Sequence, residues 1–147
     1  MEMDTFVRRE NIEVLRVRAD LRGRGPSEAF RILEAKLPRI KGRKFYGTIR
    51  TLPAGEEYYA CVERQPGEDP EALQVESGTI PGGLYMRRKV FDWERVVAAG
   101  RLPSVCEDLA RTCRTDPIRP EIEFYRSRTE LHLLLPVLSQ DRPVGTV

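Results

Sequence analysis

The sequence has little of what metal and nucleophile chemistry is usually built from. It holds one histidine, His132, and three cysteines, Cys61, Cys106 and Cys113, in 147 residues. Three thiols cannot all pair within one chain, and neither their spacing nor the lone imidazole offers a zinc cluster. We therefore read the cysteines as reduced, buried, small apolar residues. No Gly-x-Ser-x-Gly elbow, phosphate loop or metal-ligand spacing occurs, which argues against nucleophilic triads and metal hydrolysis. Neither a metal nor a cofactor is expected.

Long apolar runs are lacking too. The most apolar stretch, 131–138, is interrupted by His132 and Pro136 and falls far short of the roughly 20 residues that span a bilayer. The N-terminus carries Glu2 and Asp4 in place of the apolar core of a secretory signal, so no membrane contact and a cytoplasmic location are expected. An excess of one charge is also missing. The 25 basic residues nearly cancel the 23 acidic ones, and a net charge of +2 gives no field of the kind that non-specific nucleic-acid binding needs. The first 50 residues hold 13 Lys and Arg against 7 Asp and Glu, the rest 12 against 16, and the basic third reads as a solvated face. What remains is an ordinary composition, 40% hydrophobic and 33% charged, at the length of one domain, residues 1–147.

The patterning is informative. Leu15, Val17, Ala19 and Leu21 alternate with Arg16, Arg18, Asp20 and Arg22, the period of a half-buried strand that ends at Gly23-Arg24-Gly25. Pro26 suits a first helical residue, and Phe30, Leu33, Leu37 and Ile40 follow as one helical stripe. Two extended runs, 44–50 and 57–64, flank the turn Leu52-Pro53-Ala54-Gly55. The same order recurs after the polar loop 65–71. It starts with a strand over about 73–90, interrupted near Ile80-Pro81-Gly82-Gly83. A short helix follows, with Asp92 as its cap and Trp93, Val96 and Val97 on it, and a second helix starts from a Ser104–Glu107 capping box. The break between the two helices falls at 100–103, and closing strands run over 121–126 and 130–137. The expected fold is thus α+β: two strand-helix-strand-strand (SHS2-like) repeats, about 12–64 and 73–137. Pseudo-twofold symmetry relates them, helices back antiparallel sheets, and a ligand groove lies at their junction.

On the strand Glu121-Ile122-Glu123-Phe124-Tyr125, period two places Ile122 and Phe124 on one face and Glu121, Glu123 and Tyr125 on the other. The apolar pair is expected to meet the helices. Two placements then stand open for Glu123 and Tyr125: the groove, or water on an open sheet face. His132 shares a face with Leu134 and shows no carboxylate partner, which reads as a structural histidine.

Four segments carry a resemblance that spans nearly the whole chain: Arg22-Gly23-Arg24-Gly25, Thr79-Ile80-Pro81-Gly82-Gly83-Leu84-Tyr85, Ile122-Glu123-Phe124-Tyr125, and Glu130-Leu131-His132-Leu133-Leu134-Leu135-Pro136-Val137. In their order and spacing the chain resembles the GyrI-like small-molecule-binding domains, which also serve as effector-binding domains of AraC-type and MerR-type bacterial regulators. The resemblance implies a groove for lipophilic, often cationic molecules, with Glu123 as its central acid, and a role in drug or toxin response. Tyr46, Tyr59, Tyr85, Trp93 and Tyr125 are the aromatic candidates for its walls; a desolvated carboxylate favours a bound cation, and ring faces add cation–π contact. About a dozen residues precede the first expected strand and about ten follow the last, too few for a DNA reader, so a stand-alone binding protein is expected. A branch of the same family resembles hydrolases that open cyclopropane rings of DNA-alkylating compounds; there Glu123 would be the general base and Tyr125 its helper. A third reading, a protein-binding module like a gyrase inhibitor, has the basic N-terminal third as its one candidate surface.

Overall fold

Two connections of two residues each decide the shape of the protein. The computed structural model describes residues 4–138. In it β1 (Thr5–Arg9) is followed after Glu10 and Asn11 by β2 (Ile12–Arg18), and β5 (Glu76–Ile80) after Pro81 and Gly82 by β6 (Gly83–Phe91). The remaining elements are α1 (Gly25–Lys36), β3 (Phe45–Leu52), β4 (Gly55–Glu63), α2 (Pro70–Leu73), α3 (Trp93–Ala98), α4 (Leu102–Ala110), β7 (Glu121–Tyr125) and β8 (Glu130–Pro136). All eight strands form one sheet in the order β1-β6-β8-β7-β3-β4-β2-β5, with every pairing antiparallel.

In that order β1 and β2 lie six places apart, and so do β5 and β6. Six strand spacings in a flat sheet cover about 29 Å, yet three Cα steps reach at most about 11 Å. The sheet must therefore curl until its two ends approach. The two connections touch where they cross: the Gly82 amide donates to Asn11 Oδ1 at 2.6 Å, and a Cβ at Gly82 would stand 2.6 Å from the Arg9 carbonyl oxygen. The result is a half-barrel whose strand order is symmetric about the central β7–β3 pair.

Alternation along the strands then sorts the core into an inside and an outside. Val14, Tyr46, Tyr59, Cys61, Ile80, Tyr85, Ile122 and Leu134 pack inside the curl, contributed by both of its ends. Outside, α1 covers Leu15, Tyr58, Ala60 and Val62 with Ala29, Leu33 and Leu37, while α3 and α4 cover Met86, Val90, Leu131, Leu133 and Leu135. Burying side chains of this size yields roughly 1.5–3 kcal/mol each.

Several sequence expectations change here. A first strand, β1, lies ahead of the expected start; five residues with two arginines and an exposed Phe6 give too little pattern to read. The interrupted strand expected over 73–90 divides at its expected break into β5 and β6, while its first residue belongs to the short helix α2. Helix α1 stops at Lys36 because Leu37 precedes Pro38 and is held extended, φ −92° and ψ 139°, which leaves Ile40 exposed. Ser104 lies within α4, whose N-cap is Arg101; Pro103 sits in the first turn where its missing N–H costs nothing. Asp92 does stand at the N-cap of α3, in the left-handed region, but its side chain makes no capping bond. His132 has a carboxylate partner after all, Glu130 two residues earlier at 2.5 Å.

Arg119 ties the closing segment to the half-barrel. Its guanidinium donates to Asp116 at 3.0 Å and to the carbonyls of Gly82, Leu84 and Val137 at 3.3, 3.2 and 2.5 Å, and it lies 4.9 Å from the centre of the Tyr85 ring. Replacing Arg119 by Ala leaves those acceptors unpaired, and urea denaturation should show a loss of about 2–4 kcal/mol. Lys in its place should recover less than half of the loss, since an ammonium cannot fork to acceptors on separate strands.

Candidate functional site

The site begins with an absent side chain. Gly47 of β3 stands opposite Glu123 of β7 on one side and opposite Ala60 of β4 on the other. Tyr58 shares the outer face with Ala60, and across the gap at Gly47 its hydroxyl reaches Glu123 Oε1 at 2.5 Å. A Cβ at Gly47 would lie 2.1 Å from that hydroxyl and 2.6 Å from the carboxylate oxygen. Tyr125, two residues along the same strand, donates to the same oxygen at 2.7 Å. Glu123 Oε1 thus takes two phenol hydrogen bonds, while Oε2 accepts none among the described residues.

The electrostatics follow from burial. Glu123 is only 7% exposed, and desolvation pushes its carboxyl above the ordinary carboxylate range, more than the two tyrosine hydrogen bonds pull it down. Burial first, and the adjacent Glu123 charge second, push the Tyr58 and Tyr125 hydroxyls far above their usual range, so both stay protonated donors. Glu121 is raised by burial and then by Glu56 and Glu123. The Cys106 thiol of α4 is pushed up to about 12 by burial and then by Glu121, Glu123 and Glu107, which makes it a poor nucleophile. Among the described residues the partners of the Glu123 carboxyl are the two tyrosines, and no basic group pairs with it.

Aromatic rings close the site from two helices. Phe30 of α1 meets Tyr125 edge-on at 5.3 Å and Tyr58 at 6.3 Å. Trp93 of α3 meets Tyr125 at 5.1 Å and is held by its indole N–H on the Ser127 carbonyl at 3.0 Å. The cleft beside Glu123, between Ile49, Cys106, Leu109 and Leu133, measures about 10 Å³, room for about one water molecule. A larger guest requires Phe30 or α4 to shift.

The structure brings Glu123, Tyr125 and Trp93 together and separates them from the other candidates. The face assignment is reversed relative to expectation: Glu123 and Tyr125 lie on the helix side, and Ile122 and Phe124 point into the curl. Tyr46, Tyr59 and Tyr85 lie inside with them, on the opposite side of the sheet from Glu123. Tyr46 stacks on Phe124 at 4.9 Å, Tyr85 donates to the Pro81 carbonyl, and Tyr59 lies under Arg16. Sequence reasoning missed Tyr58, Gly47 and Phe30. A glycine inside a strand was the available signal, because it marks a close approach.

Gly47→Ala should destabilise the protein by about 1–3 kcal/mol through overpacking, measured by thermal or urea unfolding. Combining it with Tyr58→Phe removes the nearest clashing atom, so the double variant should be more stable than the sum of the two single effects implies.

No protein-family model and no curated protein matches the chain. Solved structures do. An integron cassette protein, VCH_CASS2, from the mobile metagenome of Vibrio cholerae superposes with a TM-score of 0.67 at 14% identity, covering 92% of this chain and 95% of that one. SAV2435 bound to tetraphenylphosphonium gives 0.65 at 10% identity, covering 99% of each chain. A hydrolase from Listeria innocua gives 0.59 at 16% identity, over 92% of this chain and 91% of that one. At these identities the likeness is one of fold: an α+β half-barrel consistent with the GyrI-like fold that the sequence resembles.

Proposed function

We propose that the chain is a small-molecule-binding protein of the GyrI-like type that takes lipophilic organic cations in the cleft over Glu123. The observation that carries this is a carboxylate buried among aromatic rings, without a basic partner, whose second oxygen is unused. Desolvating that charge costs free energy that a cation at Oε2 would recover, while Phe30, Trp93 and Tyr125 offer ring faces to its apolar groups. SAV2435, a protein of the same fold, is bound to tetraphenylphosphonium, a phenyl-clad cation of this class. The same reading includes the duplicated strand-helix-strand-strand ancestry that the symmetric strand order suggests, and a cytoplasmic role in drug or toxin response. Tyr46, Tyr59 and Tyr85 act in it as the inner core that holds β3, β4 and β6 in register, one layer behind the site.

A second reading has support in one detail. Glu123 Oε2 is placed to take a proton from a water molecule that attacks a strained cyclopropane ring, with that proton ending on the ring carbon released by the opening. Tyr58 and Tyr125, spent on Oε1, would orient the base. A neighbour described as a hydrolase shares the fold.

Calorimetry with tetraphenylphosphonium tests the first reading. Wild-type protein should bind at micromolar strength, about −8 kcal/mol, and Glu123→Gln should bind at least tenfold more weakly; equal affinity would remove Glu123 from the role. The pH dependence has a definite sign. The empty site favours the protonated carboxyl, so cation and proton compete, and affinity should rise with pH from the ordinary carboxylate range upward until the raised pKa is passed. Tyr125→Phe deletes a hydrogen bond to the ionised form, so its rise should be displaced to higher pH. Mass spectrometry of a cyclopropane-bearing alkylator incubated with the protein separates the readings. Gain of one water, abolished in Glu123→Gln, marks the hydrolase; an unaltered compound leaves the binder.

A further inference from the structure

A second cavity lies away from Glu123, on the other side of the sheet. It opens at the mouth of the half-barrel and measures about 520 Å³, within the range of small-molecule sites, for which barrel mouths are a recurrent location. Its floor is Val14, Tyr59, Cys61 and Ile80, all buried. Pro81, Pro120 and Ile118 add apolar wall, and Ile118 is 74% exposed, apolar surface that a seated guest would cover.

The charged groups on this lining differ in sign from those around Glu123. Three are guanidiniums, Arg16, Arg50 and Arg119, and one is a carboxylate, Glu57. Arg119 is spent on Asp116 and three carbonyls, as described above. Arg16 lies over the Tyr59 ring at 3.9 Å and binds Glu76 through Nε and Nη2, both on one carboxylate oxygen, which leaves Nη1 unused. Glu76 sits on the edge strand with its side chain 52% exposed, a surface pair that contributes little and exchanges readily. Arg50 and Glu57 face each other across the β3–β4 ladder, yet neither makes an ion pair or hydrogen bond among the described residues. Asn11 and Thr48 bring further polar atoms to the same lining.

We propose that this cavity is a second ligand site, distinct from the Glu123 cleft, and that it takes a small planar aromatic carboxylate. The ring would lie on Val14 and Ile80 beside the Arg16–Tyr59 stack, and the carboxylate would pair with Arg50 and the open edge of Arg16. A guanidinium already stacked on a ring extends a flat, weakly hydrated surface on which a second ring can lie. Glu57 acts against such a guest by like-charge repulsion, which makes the site sensitive to two substitutions in opposite directions. The inference does not depend on what Glu123 binds.

Titration calorimetry with 2-naphthoate, on the full chain at low salt, tests it. Wild-type protein should bind; Arg50→Gln should weaken binding at least fivefold, Glu57→Gln should strengthen it about threefold, and added salt should reduce it. Neither side chain has a hydrogen-bond or ion-pair partner among the described residues, so both variants should retain the wild-type unfolding midpoint. Saturation with tetraphenylphosphonium, or Glu123→Gln, should leave 2-naphthoate affinity unchanged. Absence of binding up to millimolar ligand, indifference to both substitutions, or competition with tetraphenylphosphonium would each overturn the second site. The first two of these results leave the cation reading of Glu123 untouched, and in the third the Glu123→Gln calorimetry with tetraphenylphosphonium tells whether the shared site is the Glu123 cleft.

Discussion

The closure of the sheet by two short, crossing connections is the constraint on which the rest depends. Because Glu10-Asn11 and Pro81-Gly82 each join strands from opposite ends of the sheet, the strands cannot lie flat. The inner face becomes a core without helices, and the helices are confined to the outer face. Gly82 is required at the crossing, where any side chain would meet the backbone of the other connection. Arg119 acts on the same joint from the C-terminal side, gathering the carbonyls of Gly82, Leu84 and Val137 under one charged group.

That division produces two environments from one sheet. On the outside, α1 packs over one half and α3 with α4 over the other, and the seam between them runs above the central β7–β3 pair. Glu123 lies in this seam, where neither helix supplies a counter-charge. Two phenols on a single oxygen offset part of the cost of burying its charge, and the missing Cβ at Gly47 lets the second of them arrive. The site thus joins one carboxylate oxygen without a phenol partner to a surround of ring surface. On the inside, the mouth of the half-barrel is lined by three guanidiniums, Arg16, Arg50 and Arg119, against one carboxylate, Glu57. The β3–β4 ladder serves both faces: Tyr58 and Tyr59 are adjacent in sequence and end on opposite sides, one bonded to Glu123, the other beneath Arg16.

Much of the architecture was legible in the sequence. Period-two alternation marked β2, β7 and β8, extended runs about a turn marked β3 and β4, the Phe30–Leu33–Leu37–Ile40 stripe marked α1, and the break near Gly100 separated α3 from α4. The pairing of Glu123 and Tyr125 on one face also followed from alternation alone. The interruption at Ile80–Gly83 that parts β5 from β6 was legible as well; the short edge strand β1 and the one-turn helix α2 were not, because segments of four or five residues carry too little period to be distinguished from loops.

What alternation determines is that a strand has two faces and which residues share each. It does not say which face the helices cover. Ile122 and Phe124 looked like the helix-packing pair because they are apolar, yet inside a closed half-barrel the inner face is as dry as the outer one and accepts them equally well. Tyr58 was overlooked for a related reason: its role depends on the β3–β4–β7 register and on an absent side chain at Gly47, and cross-strand register is set by long-range closure that no local pattern encodes. Residue chemistry and periodicity thus belonged to the sequence, while the choice of face, the second phenol on Glu123 and the cavity at the barrel mouth arose only when strands 70 or more residues apart were brought side by side.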